Sequence, residues 1–150
     1  MRLYLAAPLF TEAERAFNLV LVRALEAEGH QVYLPQRDTP ETQAPDRTTN
    51  MFYANLAALR KADAVVAVCD DAQVDDGTAW EIGYAYGKNI QIFGLRTDAR
   101  IVQRADEPIN LMILESLSEL SPTISKAVWR RQRDLALEGG AVGSIAPPGP

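Results

Sequence analysis

The sequence predicts a three-layer α/β fold, with a mostly parallel sheet of four or five strands and helices on both faces. Three observations predict it. Ala64 to Cys69 and Ile90 to Leu95 are short apolar runs with the length of buried strands. The segment between them, DDGTAWEIGYAYG from Asp75 to Gly87, reads as a helix, and two strands joined through a helix make a parallel βαβ unit. Upstream, Leu3 to Ala7 repeats the strand pattern ahead of an amphipathic stretch, Glu12 to Glu28. There Ala13, Phe17, Val20, Leu21, Ala24 and Leu25 make one apolar stripe at helical spacing. Such a Rossmann-like, flavodoxin-like sheet binds its ligands beyond the C-terminal ends of the strands.

Taken in order, Leu3 to Ala7 is the first strand and Pro8 to Phe10 a turn. Thr11 and Glu14 form a capping box for the first helix, and Gly29 stops it. Gln31 to Leu34 is a second strand. His30 before it is a solvated loop residue, and with no Cys or His partner it builds no metal site. Residues 35 to 50 are polar and broken by Pro40 and Pro45, so they read as an irregular loop long enough to serve as a lid. A helix from about Asn50 to Lys61 sets Phe52, Leu56 and Leu59 on one side. After the fourth strand a polar loop runs from Thr97 to Glu107, and Ile109 opens a helix to about Leu120. A last amphipathic helix is expected over Pro122 to Glu138, with a solvated basic cluster at Arg130, Arg131 and Arg133. The end, GGAVGSIAPPGP, has the composition of a flexible tail. The division is one domain over 1–138 and a tail over 139–150.

Composition narrows the function. The 150 residues suit one core, and 47% apolar content is ordinary. A formal charge of -5 without a basic patch argues against a polynucleotide partner, whereas free nucleosides are uncharged. There is no apolar run of membrane-spanning length, and the first strand starts without a signal-like segment, so a cytoplasmic protein is expected. Cys69, the single cysteine, reads as buried packing in a reducing compartment.

The chemistry concentrates between Asp75 and Gly87. Gly77 allows a tight turn, Thr78 is placed to cap the helix, and Glu81 follows one turn inside. A carboxylate near the positive end of a helix dipole tends to stay ionised, as a nucleophile for a sugar carbon must. Thr78 to Glu81 is equally a capping box, in which the glutamate only satisfies a backbone N–H. The crowding of Asp75, Asp76 and Glu81 beside Trp80, Tyr84 and Tyr86 favours chemistry, because repelling acids walled from water are costly.

LYLAAPLF near the start, DDGTAWEIGYAYG in the middle and EPINLM from Glu107 to Met112 together resemble the three signatures of the nucleoside 2-deoxyribosyltransferases, across roughly residues 2 to 117. The middle motif is the most specific, its Asp, Gly, Thr, Glu and Gly positions all being filled. The resemblance implies Glu81 as nucleophile and Tyr4 as its hydrogen-bond donor. It places Phe10 beside the bound base and makes Asp76 and Gly77 substrate contacts. It also has Asn110 and Met112 reach a neighbouring subunit's site, in a homo-oligomer built on dimers and as large as a tetramer or hexamer. The loop after the second strand would contact the base, with Gln36, Arg37 and Asp38 as candidates. Asn55 stands where the resembled enzymes often carry an aspartate facing the base. An amide cannot ionise, so this departure bears on the base range more than on the sugar chemistry.

The expected activity is base exchange between 2′-deoxynucleosides and free nucleobases through a deoxyribosyl ester of Glu81, with retention. Asp75 is the expected proton carrier, its affinity for a proton raised by Asp76 and Glu81. No cofactor or metal is needed. Two alternatives stay open: an N-glycosidase in which water takes the second step, and a nucleotide-sensing module that does no chemistry.

Overall fold

Along β1 (Arg2–Ala6) successive side chains point to opposite faces of a sheet, and each face buries its own core. Leu3 and Leu5 meet Val66 and Val68 of β3 (Ala64–Val68) and, above them, Leu21, Val22 and Leu25 of α1 (Glu12–Ala27). Tyr4 and Ala6 point the other way. They meet Val65 and Ala67, Leu59 of α3 (Arg47–Lys61), and Ile82 and Ala85 of α4 (Asp76–Gly87). This is a computed structural model, and it describes residues 1–41, 45–98 and 109–123.

With β2 (Gln31–Tyr33), β4 (Gln91–Leu95) and β5 (Glu119–Ser121), the sheet has five strands in the order β2-β1-β3-β4-β5, every pairing parallel. The three-layer expectation holds, and the sheet is wholly parallel. That order reverses direction between β1 and β3, which creates a crevice beyond their C-terminal ends. The Thr11–Glu14 capping box is present, and Gly29 follows α1 in a left-handed conformation (φ 85°). The stripe on α1 is narrower than its sequence suggests, since Ala13 and Val20 are exposed. On α3, Leu56 and Leu59 are buried while Phe52 is not.

Two elements differ from expectation. The loop after β2 folds back at once into α2 (Pro35–Asp38), and α3 begins at Arg47, before Asn50. The helix expected from Ile109 to Leu120 is a single turn, α5 (Leu111–Leu114), followed by β5. Ile113, Leu117 and Leu120 have helical spacing. The open edge of β4, however, offers unpaired backbone groups, and pairing them outweighs local preference. Ser118 N–H donates to the Ile92 carbonyl at 2.7 Å, and its hydroxyl accepts from Ile92 N–H at 3.3 Å. Most of the helix expected over 122–138, the tail over 139–150, and Glu107 and Pro108 of the third motif lie outside the described residues.

Gly94 allows β5 to dock. A Cβ there would stand 2.6 Å from Leu117 Cδ1 and 2.9 Å from Leu120 Cδ1. Gly94→Ala should therefore destabilise the fold by about 1–2 kcal/mol, as overpacking does, read from urea denaturation midpoints.

Candidate active site

The cap of α4 is Asp75. Its Oδ2 accepts from Thr78 N–H at 2.9 Å and from the Thr78 hydroxyl at 3.1 Å. Thr78, expected as the cap, is instead buried in the first turn, and Gly77 lies within that turn rather than in a tight turn before it. A Cβ on Gly77 would come within 3.2 Å of Asp75 Oδ2, so the glycine leaves the cap room. Moving the cap back three residues carries Glu81 out of the capping box. Its partner is Tyr4, whose hydroxyl donates to Oε1, while Oε2 has no hydrogen bond among the described residues.

Burial dominates the electrostatics. Removal from water pushes the Glu81 carboxyl up to about 7, the Tyr4 hydroxyl opposes that rise, and the negative charge of Asp75 adds to it. The expectation that this carboxylate tends to stay ionised is corrected here: burial raises its affinity for a proton. Tyr4 is wholly buried, and burial together with the Glu81 charge raises its pKa far beyond neutrality, so it stays a donor. Burial likewise pushes the Cys69 thiol up to about 12, in keeping with its packing role.

Sequence reasoning missed Tyr33 and Thr39. Tyr33 is the register partner of Tyr4 on the neighbouring parallel strand, and their rings stack at 5.6 Å and 14°. The Tyr33 hydroxyl donates to Asn55 Oδ1 at 3.1 Å, and Thr39 donates to the same oxygen at 2.5 Å. Strand parity was the available signal, since Tyr33 shares a face with Tyr4. Asn55, Thr39, Leu9, Pro35 and Met51 line a cavity of about 560 Å³. A cavity of about 570 Å³ beside β2 extends to Arg2, Gln31 and Lys61 at the N-terminal edge of the sheet, away from Glu81.

Of the three loop candidates, Gln36 is tied to Asn18 and to the Arg15 carbonyl. Arg37 is tied to Asp38, Glu26 and the Val32 carbonyl, and Asp38 accepts from Leu34 N–H. These contacts brace the turn into α2. Phe10 is 70% exposed and Met112 77%; Asp76 is exposed, and Asn110 caps α5 by accepting from Met112 N–H. None of these four hydrogen-bonds Glu81 or Tyr4 among the described residues. Of the aromatics expected to screen Glu81, Trp80 and Tyr86 are exposed, Trp80 stacking on Tyr84 and meeting Phe52 edge-on, while Tyr84 is half-buried and packs against the core that holds Tyr4. His30 is half-buried rather than solvated.

Fold and site together define a doubly wound α/β protein with a buried carboxylate–tyrosine pair beside its switch point. The chain belongs to the nucleoside 2-deoxyribosyltransferase family, whose model matches residues 3–112. A 2-deoxyribosyltransferase from Bacillus psychrosaccharolyticus is 28% identical, with a TM-score of 0.73 over 83% of this chain and 88% of that one. Two more distant structures share the fold. A deoxyribosyltransferase from Leishmania mexicana is 24% identical, TM-score 0.59, over 75% and 84% of the two chains. A CMP N-glycosidase from Clostridium botulinum is 22% identical, TM-score 0.52, over 83% and 91%. No curated protein matches the chain significantly. The family and its relatives indicate a deoxyribosyltransferase-type function. Among the described residues no helix is long and apolar enough to cross a membrane.

Two outcomes follow from the electrostatics. Tyr4→Phe removes the influence that holds the Glu81 carboxyl down, so its midpoint in a carbon-13 carboxyl titration should move above 7. Because the folded-state value exceeds the ordinary 4.5, the folded chain binds this proton more tightly than the unfolded chain. The cost of the buried charge is then absent below about pH 4.5, grows through the interval and is complete above 7. Glu81→Gln should exceed the wild type in stability by about 1–3 kcal/mol at pH 8, with the gap closing toward pH 5, in paired urea titrations.

Proposed function

We propose that the protein exchanges bases between 2′-deoxynucleosides by a double displacement at C1′. Glu81 Oε2 attacks C1′, the bond from C1′ to the base nitrogen breaks, and a deoxyribosyl ester forms with inversion. The nitrogen of a second base attacks the ester carbon and releases the carboxylate, and the second inversion gives overall retention. The observation that carries this reading is the buried pair, with Tyr4 holding Oε1 and Oε2 left open. Asp75 gives a proton to the departing base and takes one from the incoming base. Its Oδ2 is committed to the cap while Oδ1 has no hydrogen bond among the described residues, which supports that role. Deoxyribose suits the site chemically, because a 2′-hydroxyl would withdraw electron density from the oxocarbenium-like transition state.

Asp76 and Gly77 on the first turn of α4 are proposed sugar contacts, and Phe10 a flank for the base. Asn110 and Met112 are proposed to complete the site of a neighbouring subunit. The 66% exposure of Leu111 and the 77% exposure of Met112 support that assignment, since adjacent exposed apolar side chains suit a contact.

Incubation of deoxyguanosine with hypoxanthine should yield deoxyinosine, resolved by chromatography. Free deoxyribose alone would identify a hydrolase, and unchanged substrate a binding module. Glu81→Gln should lower exchange about 10³-fold or more. At limiting substrate the wild-type rate should rise with pH through about 7, as the nucleophile ionises.

A further inference from the structure

Two hydroxyls fix the orientation of the Asn55 amide. Thr39 and Tyr33 both reach Oδ1, and their oxygens stand 3.3 Å from each other. Each hydroxyl has one proton to give. Among the described residues the acceptors within reach of the pair are Oδ1 and the two hydroxyl oxygens themselves. With Oδ1 toward them both protons are used; with the amide reversed, one proton has no acceptor among the described residues. Both lone pairs of Oδ1 are thereby occupied. Nδ2 has no hydrogen bond among the described residues, and Asn55 lines the 560 Å³ cavity, so the amide presents donors there. Through Tyr33, stacked on Tyr4, this group is connected to Glu81.

We propose that Asn55, held as a donor-only group by Thr39 and Tyr33, makes the site select nucleobases that present a carbonyl oxygen to it. These are the 6-oxopurines and 4-oxopyrimidines, favoured over their amino counterparts. The inference rests on the nucleoside reading above. An exocyclic amine would set donor against donor at the cavity wall, a larger loss than an imperfect fit of apolar surface. An aspartate here would receive the same two hydroxyls on one oxygen and offer the other as an acceptor. Asn55 thus decides the sign of the preference, and Thr39 and Tyr33 are positioning residues.

Calorimetric binding of free bases tests this without turnover, using hypoxanthine against adenine and uracil against cytosine. The wild type should bind the oxo base of each pair roughly 10-fold or more tightly. Asn55→Asp should erase or invert that ratio. Thr39→Val, which frees the amide to turn, should lower it, and Thr39→Ser should restore it. Each ratio is taken on one preparation, so an inactive fraction cancels. A wild-type ratio near one, or a ratio unchanged in Asn55→Asp, overturns the proposal. If the same wild type still forms deoxyinosine from deoxyguanosine and hypoxanthine, the nucleoside reading survives that failure. A wild type that binds no base and exchanges none removes both.

Discussion

The hydrogen bond from Tyr4 to Glu81 joins a central strand to the helix that crosses it, and it does so with a carboxylate largely withdrawn from water. Burial favours the protonated acid and the tyrosine hydroxyl favours the anion, so the group is balanced near neutrality. Such a balance needs rigid surroundings. Tyr4 supplies them because it lies wholly buried within β1, flanked by β2 and β3 and stacked on Tyr33. A tyrosine on an edge strand would admit water and lose both effects at once.

What delivers Glu81 to that tyrosine is the segment between β3 and α4, and it is tied down from the β4 side. Arg96, buried just past β4, donates to the carbonyls of Cys69 and Asp71. Asp70 returns the tie by accepting from the N–H and hydroxyl of Thr97 and from Asp98 N–H. The strain of Asp71 in the left-handed region (φ 73°) sits inside this clamp. Asp75 then ends the segment by capping α4, so the acid whose charge acts on Glu81 is oriented by the helix that carries Glu81. On α4 itself Thr78, Ile82 and Ala85 form the buried side and Trp80 the exposed side, with Glu81 at the boundary. At the boundary a carboxylate can be desolvated and still meet a substrate.

Much of this was legible in the residues, and the parts that were not share a cause. The four strands from Leu3 to Leu95 and the helices after the first and second were readable because apolar runs and periodicity follow burial, even though Ala13, Val20 and Phe52 on the periodic faces are exposed. The site helix was readable as a segment while its cap was not: Asp75 and Thr78 are both good caps, and only the path of the chain from β3 decides between them. The helix expected after Ile109 gave way to β5 because the demand of an open strand edge is a tertiary fact. Tyr33 and Thr39 were missed for the same reason, since their importance comes from standing beside Tyr4 and Asn55, residues distant in sequence. Trp80 and Tyr86 misled because nearness to Glu81 along a helix is not nearness in direction, whereas Tyr84 does turn toward the core.

The site divides into an interior half fixed by one chain and an outer half left open. Tyr4, Glu81, Asp75, Tyr33, Thr39 and Asn55 are held by hydrogen bonds and stacking within the fold. Phe10, Leu111 and Met112 are exposed apolar groups. The division matches the needs of the proposed reaction. The nucleophile and the base-orienting amide must be preorganised, because their alignment lowers the barrier only if it is set before substrate arrives. The ester intermediate has the opposite need: it must be sheltered from water while one base leaves and another enters, which requires a cover that opens. Exposed apolar side chains at the outer half are groups that such a cover, once closed, would take out of water.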